Sequence, residues 1–244
     1  MVDFVVNGSW GKRPEGPRQV AAQWAETFAA LESTGEGILG SWCHDAASHA
    51  SSREFVPVSA PALTEYLERE NRAHDAPYIG YSASLRTRQA GMPLVELSVR
   101  AGGQTQWVGS NVALSFSSRV VQDDAVPALR RAHEILRILA DAWDIDHGKV
   151  YRRAEYRAVK EEFDLDNSAP RCGRAVYLSA NRAALAPEGL PAEYSRTARG
   201  GLIVDLTYGG TREPSIDVIL DVNRELRAAG ALEALPKPYE RDKW

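Results

Sequence analysis

The stretch YIGYSASLRTRQAGMPLVELSVRAGGQTQWVGSNVALSFS, residues 78–117, alternates apolar and polar residues in three consecutive segments. Side chains of a strand point to opposite faces in turn, so this period of two reads as a sheet with one dry side. Ile79, Tyr81, Ala83 and Leu85 share one parity, and Gly80, Ser82, Ser84 and Arg86 the other. Val95, Leu97 and Val99 then alternate with Glu96, Ser98 and Arg100, and Val108, Val112, Leu114 and Phe116 return on one parity. Gly102 and Gly103 between them predict a tight hairpin with positive φ angles. The stretch therefore predicts an antiparallel meander at the centre of an α+β fold. Its apolar face must be covered, and the flanking segments carry amphipathic helical patterns.

On the N-terminal side, Ser59 precedes a helix carrying Leu63, Tyr66 and Leu67, and Pro17 opens one carrying Val20, Ala21, Trp24, Phe28 and Leu31. Residues 38–58 show no period and are expected to be irregular, with room for a short helix. Phe4 to Val6 is a short β-prone run that Asn7, Gly8 and Gly11 are expected to break into a turn around Trp10. On the C-terminal side, Asp123 and Asp124 suit a helix start before Pro127, and Val126, Leu129, His133, Leu136, Leu139 and Trp143 form a helical stripe. That helix is expected to end in a turn at residues 144–148, followed by a charged helix over 153–163. Short apolar runs at 175–178 and 202–206 predict two further strands, and Pro214 and Gly230 bracket a last helix with Ile216, Ile219, Leu220 and Leu226 inward. Pro236, Pro238 and a charged end are left as a tail. With no repeat and no low-complexity linker, residues 1–244 read as one domain, a weak sub-boundary at 144–149 being the alternative.

The 244 residues carry a formal charge of −4, with 44% hydrophobic and 25% charged residues, which is ordinary globular composition. The acidic balance argues against nucleic acid as a direct partner, which needs a surface excess of Lys and Arg. No apolar run approaches the roughly 20 residues of a membrane-spanning helix. With no secretory pattern at the start either, the expected compartment is the cytoplasm. Cys43 and Cys172 match no metal-ligand spacing and read as free thiols.

Motifs of chemistry are missing: there is no Gly-rich phosphate loop, no nucleophile elbow and no zinc-binding His-Glu pattern. His44 and His49 with Asp45 are five residues apart and do not share a helical face, and His133 lies on an apolar stripe as a core histidine would. Arg171, Arg174, Arg182, Arg196 and Arg199 are scattered positive charge without interleaved aromatics. Carboxylates do accumulate: Asp141, Asp144, Asp146, Glu161, Glu162, Asp164 and Asp166 fall within a short span, partly offset by Lys149, Arg152, Arg153, Arg157 and Lys160. They are either a solvated face or, if they converge, a surface that steers and holds a basic protein.

The opening Gly8, Ser9, Trp10, Gly11, Lys12, Arg13, Pro14 and Glu15, the helix with Ala22, Phe28 and Leu31, and Trp42 resemble the start of the immunity protein 52 family of bacterial polymorphic toxin systems. Ala142 and Trp143 before an acidic turn to Gly148, then Tyr177, Leu178 and Ser179, the run 200–204 and residues 227–232 around Gly230 are similar to that family's later landmarks. The resemblance implies a non-enzymatic protein of the type VI secretion kind, which binds and neutralises a cognate toxin, often a nuclease of restriction-endonuclease-like fold. It implies no cofactor, metal or membrane partner. The competing expectation is a hydrolase-like enzyme using His133 or His44 with a carboxylate.

Overall fold

The computed structural model describes residues 2–45, 53–87, 92–118 and 126–244. Strands β1 (Val2–Trp10), β2 (Cys43–Asp45), β3 (Arg53–Phe55), β4 (Tyr81–Thr87), β5 (Leu94–Ala101) and β6 (Ser110–Ser118) come from the first half. The second half supplies β7 (His147–Arg152), β8 (Ala175–Leu178), β9 (Glu193–Arg196) and β10 (Leu202–Asp205). All ten form one sheet in the order β3-β2-β4-β5-β6-β1-β7-β8-β10-β9, and each pairing is antiparallel. The helices are α1 (Pro17–Ser33), α2 (Ala60–Glu70), α3 (Ala76–Ile79), α4 (Pro127–Arg130), α5 (Ala132–Trp143), α6 (Arg153–Glu162), α7 (Ala180–Ala183) and α8 (Ile216–Ala228). The fold is α+β, with the expected meander present as β4, β5 and β6.

Two layers of core cover the sheet. The larger packs α1, α2 and α5 onto one face, where Trp24, Phe28, Leu31, Leu136, Leu139 and Trp143 meet Val6, Leu97, Leu114 and Val150. Trp143 stacks on Trp10 at 5.7 Å and donates its indole N–H to Thr27 Oγ1 at 2.8 Å, which satisfies the one polar atom of a fully buried ring. The smaller core lies on the opposite face of the far half, where Val159 of α6 and Ile219, Val222 and Leu226 of α8 pack on Val176, Leu178, Leu202 and Val204. Over β4–β6 that second face has no helical cover among the described residues and carries Ser82, Glu96, Ser98 and Arg100.

Several expectations are corrected. The run at residues 4–6 is not broken by Asn7 and Gly8: β1 continues to Trp10 and forms the sheet's central strand. Gly8 sits directly opposite Gly148. A Cβ at Gly8 would come 2.6 Å from Ile145 Cδ1, and one at Gly148 2.7 Å from Leu136 Cδ1. Both glycines therefore admit close packing rather than a turn. The acidic turn expected through Gly148 ends earlier, at Asp144 with φ +46°, and β7 begins at His147. Ile79 belongs to α3 and is exposed, not on the strand's dry face. The tight hairpin is an eight-residue connection, 102–109, and Val108 lies within it rather than on the strand. Only Gly102 has positive φ, +86°, and Gly103 is needed because a Cβ there would lie 2.8 Å from the Ile79 carbonyl carbon. The single helix expected from Pro127 is two, parted at Arg131. Strands β2 and β3 lie in the stretch 38–58 expected to be irregular, and α7 and β9 lie between the two apolar runs, where no element is expected. Ser59 stands at the N-cap of α2, but its side chain accepts no cap hydrogen bond. Asp123, Asp124 and His49 lie outside the described residues.

Candidate functional site

The register builds a polar row on the sheet face opposite the large core. Arg100 pairs with Asn111, Asn111 with Ser9, and Ser9 with His147, while one step along Ala113 pairs with Asn7 and Asn7 with Lys149. Alternation thus sends Gly148 and Val150 into the core and presents His147 and Lys149 on the other side. This row lies where the helical cover of the far half gives out, and it floors a pocket of about 350 Å³. The walls are the 102–109 connection with Trp107, the Asn167–Ser168 turn, and residues 234–239 with Lys237 and Tyr239. The Tyr239 N–H donates to the Gln106 carbonyl at 2.6 Å, so the segment expected to be a free tail is tied across the sheet instead. Further along it, Gly11 N donates to the Asp242 carbonyl at 2.7 Å and Trp244 N to Asp146 Oδ1 at 2.8 Å.

Beneath the pocket Asp146 forms a forked pair with Arg182, whose Nε and Nη2 lie 2.8–3.0 Å from the carboxylate oxygens. Both side chains are fully buried. Burial alone would push the Asp146 carboxyl up, but hydrogen bonds from His147 and Arg182 outweigh it and hold the group well below the carboxylate range. His147 Nδ1 lies 3.3 Å from Asp146 Oδ2, and burial pushes the imidazole down to about 4 against that attraction. The neutral ring donates Nδ1–H to Asp146, leaving Nε2 a buried acceptor with no hydrogen-bond partner among the described residues. Lys149, 4% exposed, is pushed down to about 7 by burial and then by the nearby Arg171 guanidinium.

The seven acidic candidates separate into two places. Asp144 binds Lys243 at 2.6 Å, Asp141 is half-buried on α5 with its carboxyl raised by burial, and Asp146 is interior. Glu161, Glu162 and Asp164 are exposed at the end of α6, with Glu162 3.5 Å from Arg224. Asp166 Oδ1 accepts from Ser168 N and Oγ and from Ala169 N, which lowers its pKa, the Ser168 hydroxyl contributing most. Of the histidines, His44 Nδ1 is 2.8 Å from Tyr66 OH and His133 Nδ1 is 3.6 Å from Asp205 Oδ2; neither lines the pocket. His147 is hidden from sequence reading by the turn assigned to it, and Lys149 by its place among the charges that offset the acidic span. The signal was there as the alternation His-Gly-Lys-Val.

Among the described residues no group of His, Cys, Asp and Glu could hold a metal ion, and no helix is long and apolar enough to cross a membrane. Cys43 and Cys172 are buried and unpaired with each other. No protein-family model matches the chain, and no curated protein matches it. The chain is similar in fold to the solved structure of the Pseudomonas aeruginosa T6SS protein PA0821, with a TM-score of 0.54 and 11% identity, over 96% of this chain and 74% of that one.

Proposed function

We propose that this chain is an immunity-type protein of a T6SS-linked toxin system, which acts in the cytoplasm by binding a cognate toxin stoichiometrically and performs no catalysis of its own. The observation that carries the reading is the likeness to a T6SS protein over 96% of the chain. The resemblance of residues from Gly8 to Glu15 onward to the immunity protein 52 family adds support. His44 and His133 both stand away from the pocket, which favours an inhibitor over a hydrolase built on either. The toxin is read as a nuclease, whose basic surface suits the exposed carboxylates Glu161, Glu162 and Asp164 at the end of α6. Asp146 takes no part in that contact, since its charge is spent on Arg182.

Co-expression with the toxin encoded beside it is expected to rescue growth and to yield a complex by size-exclusion chromatography. A folded toxin that neither co-elutes nor is neutralised overturns the reading. Reversing Glu161, Glu162 and Asp164 to Lys is expected to slow association, increasingly so at low salt, and to leave the melting temperature unchanged. Surface plasmon resonance at two ionic strengths measures it, and an unchanged rate moves the contact off this helix end.

A further inference from the structure

We propose that the pocket over β1, β6 and β7 is a binding site for a small oxyanion that carries its own hydrogen-bond donor, such as a hydrogenphosphate group or a 2-hydroxycarboxylate. Lys149, Arg100 and Lys237 line it and no Asp or Glu does. Lys149 is the decisive group. It is nine-tenths buried, and among the described residues no carboxylate lies within ion-pair distance of it; its ammonium stands 5.8 and 5.9 Å from the Tyr151 and Tyr156 ring centres. Burying an ammonium without a counter-charge is costly, so a buried lysine is ordinarily paired. The acid three residues before it, Asp146, is taken by Arg182, and Asp166, whose charge couples to Lys237, directs its Oδ1 to Ser168 and Ala169. An oxyanion is the missing partner.

The donor requirement comes from the floor. His147 Nε2 and Asn7 Oδ1 are buried acceptors without hydrogen-bond partners, and leaving such atoms unmatched is expensive. A bare oxyanion would face them lone pair to lone pair. A protonated phosphate oxygen or an α-hydroxyl supplies the proton that both lack. The volume of about 350 Å³ falls in the range of small-ligand pockets, which leaves room for an organic remainder between Trp107 and Tyr239. The drop of the Lys149 amine to about 7 agrees with a group whose charge a bound anion would restore.

Isothermal titration of the full chain with inorganic phosphate and with glycolate tests the site, and the pair distinguishes phosphate from carboxylate chemistry. Sulfate and acetate match the two in charge and shape but bring no donor at neutral pH. Saturable binding of phosphate or glycolate, with the matched donorless anion at least about tenfold weaker, is expected. Lys149→Met is expected to weaken binding about tenfold or more while the protein stays folded. Should that variant not fold, Arg100→Ala combined with Lys237→Ala leaves the buried groups intact and is expected to weaken binding several-fold. Absence of saturable binding by either donor-bearing anion overturns the proposal, as does equal binding of sulfate and phosphate, or binding untouched in the folded variants.

Discussion

Along β5 and β6 burial alternates residue by residue, whereas β8 and β10 are buried at every position. One half of the sheet keeps a wet face and can carry Ser98, Arg100 and Glu96 there at no desolvation cost. The other half lies between α5 on one side and α6 and α8 on the other, so a polar group inside is costly unless it finds a partner. It does so with Asp146 and Arg182, with Arg174 held by Glu155 and Glu213, and with Asn223 bridging Cys172 N and O at 2.9 and 2.8 Å. Strands with one wet face are specified by pattern; strands with none are specified by exact pairing.

Asp146→Ala should expose that difference most sharply. It strands the Arg182 charge in a fully buried site and is expected to cost about 3–5 kcal/mol in urea unfolding. Gly148→Ala, which drives a Cβ to 2.8 Å from the Asn7 carbonyl oxygen, is expected to cost about 1–3 kcal/mol. A cost near zero would mean that β1 and β7 can part without penalty.

The pH dependence of stability sharpens the contrast further, because the buried half holds groups displaced from their usual range. His147 is lowered from 6.5 to about 4 by burial, so as pH falls below 6.5 the unfolded chain takes up the proton first and stability drops. Lys149 is lowered from 10.5 to about 7. Above 7 the unfolded chain therefore holds the extra proton, and stability rises with pH. The buried Cys172 thiol, pushed up from 9.0 by desolvation, works the other way once pH passes 9.0. Calorimetric melting temperatures are thus expected to climb between about pH 7 and 9.0, and Lys149→Met is expected to flatten that slope. A slope kept in the folded variant would assign it elsewhere. The smallest effect belongs to the wet face: Ser98→Ala is expected to change stability by less than about 0.5 kcal/mol, and a loss rivalling Gly148→Ala would erase the distinction between the halves.

The same difference governs what the sequence discloses. Residues 81–118 announce themselves because one face is wet, and α1, α2 and α8 do so by their stripes. Strand β7 does not: Lys149 and Arg152 look solvated, and Gly148 looks like a turn, when its function is to let Leu136 approach. Gly8 misleads in the same way. The pocket was illegible for a related reason. Its polar row joins Arg100, Asn111, Ser9 and His147 from four strands, and no sequence window contains them. Asp146 read as one more surface acid because its partner lies 36 residues on.

The place of β1 also dictates a timetable. Its neighbours are β6, with Val2 opposite Ser118, and β7, with Phe4 opposite Arg152. During synthesis β1 therefore emerges before either of its sheet neighbours, and one of its edges stays open until β7 has followed. Pairings this distant in sequence make for slow folding, and an unpaired strand invites association with other chains. Within this fold β1 is thus the most vulnerable strand of the nascent chain, and a chaperone that shields residues 2–10 would raise its yield more than one acting on the meander, whose hairpins close locally.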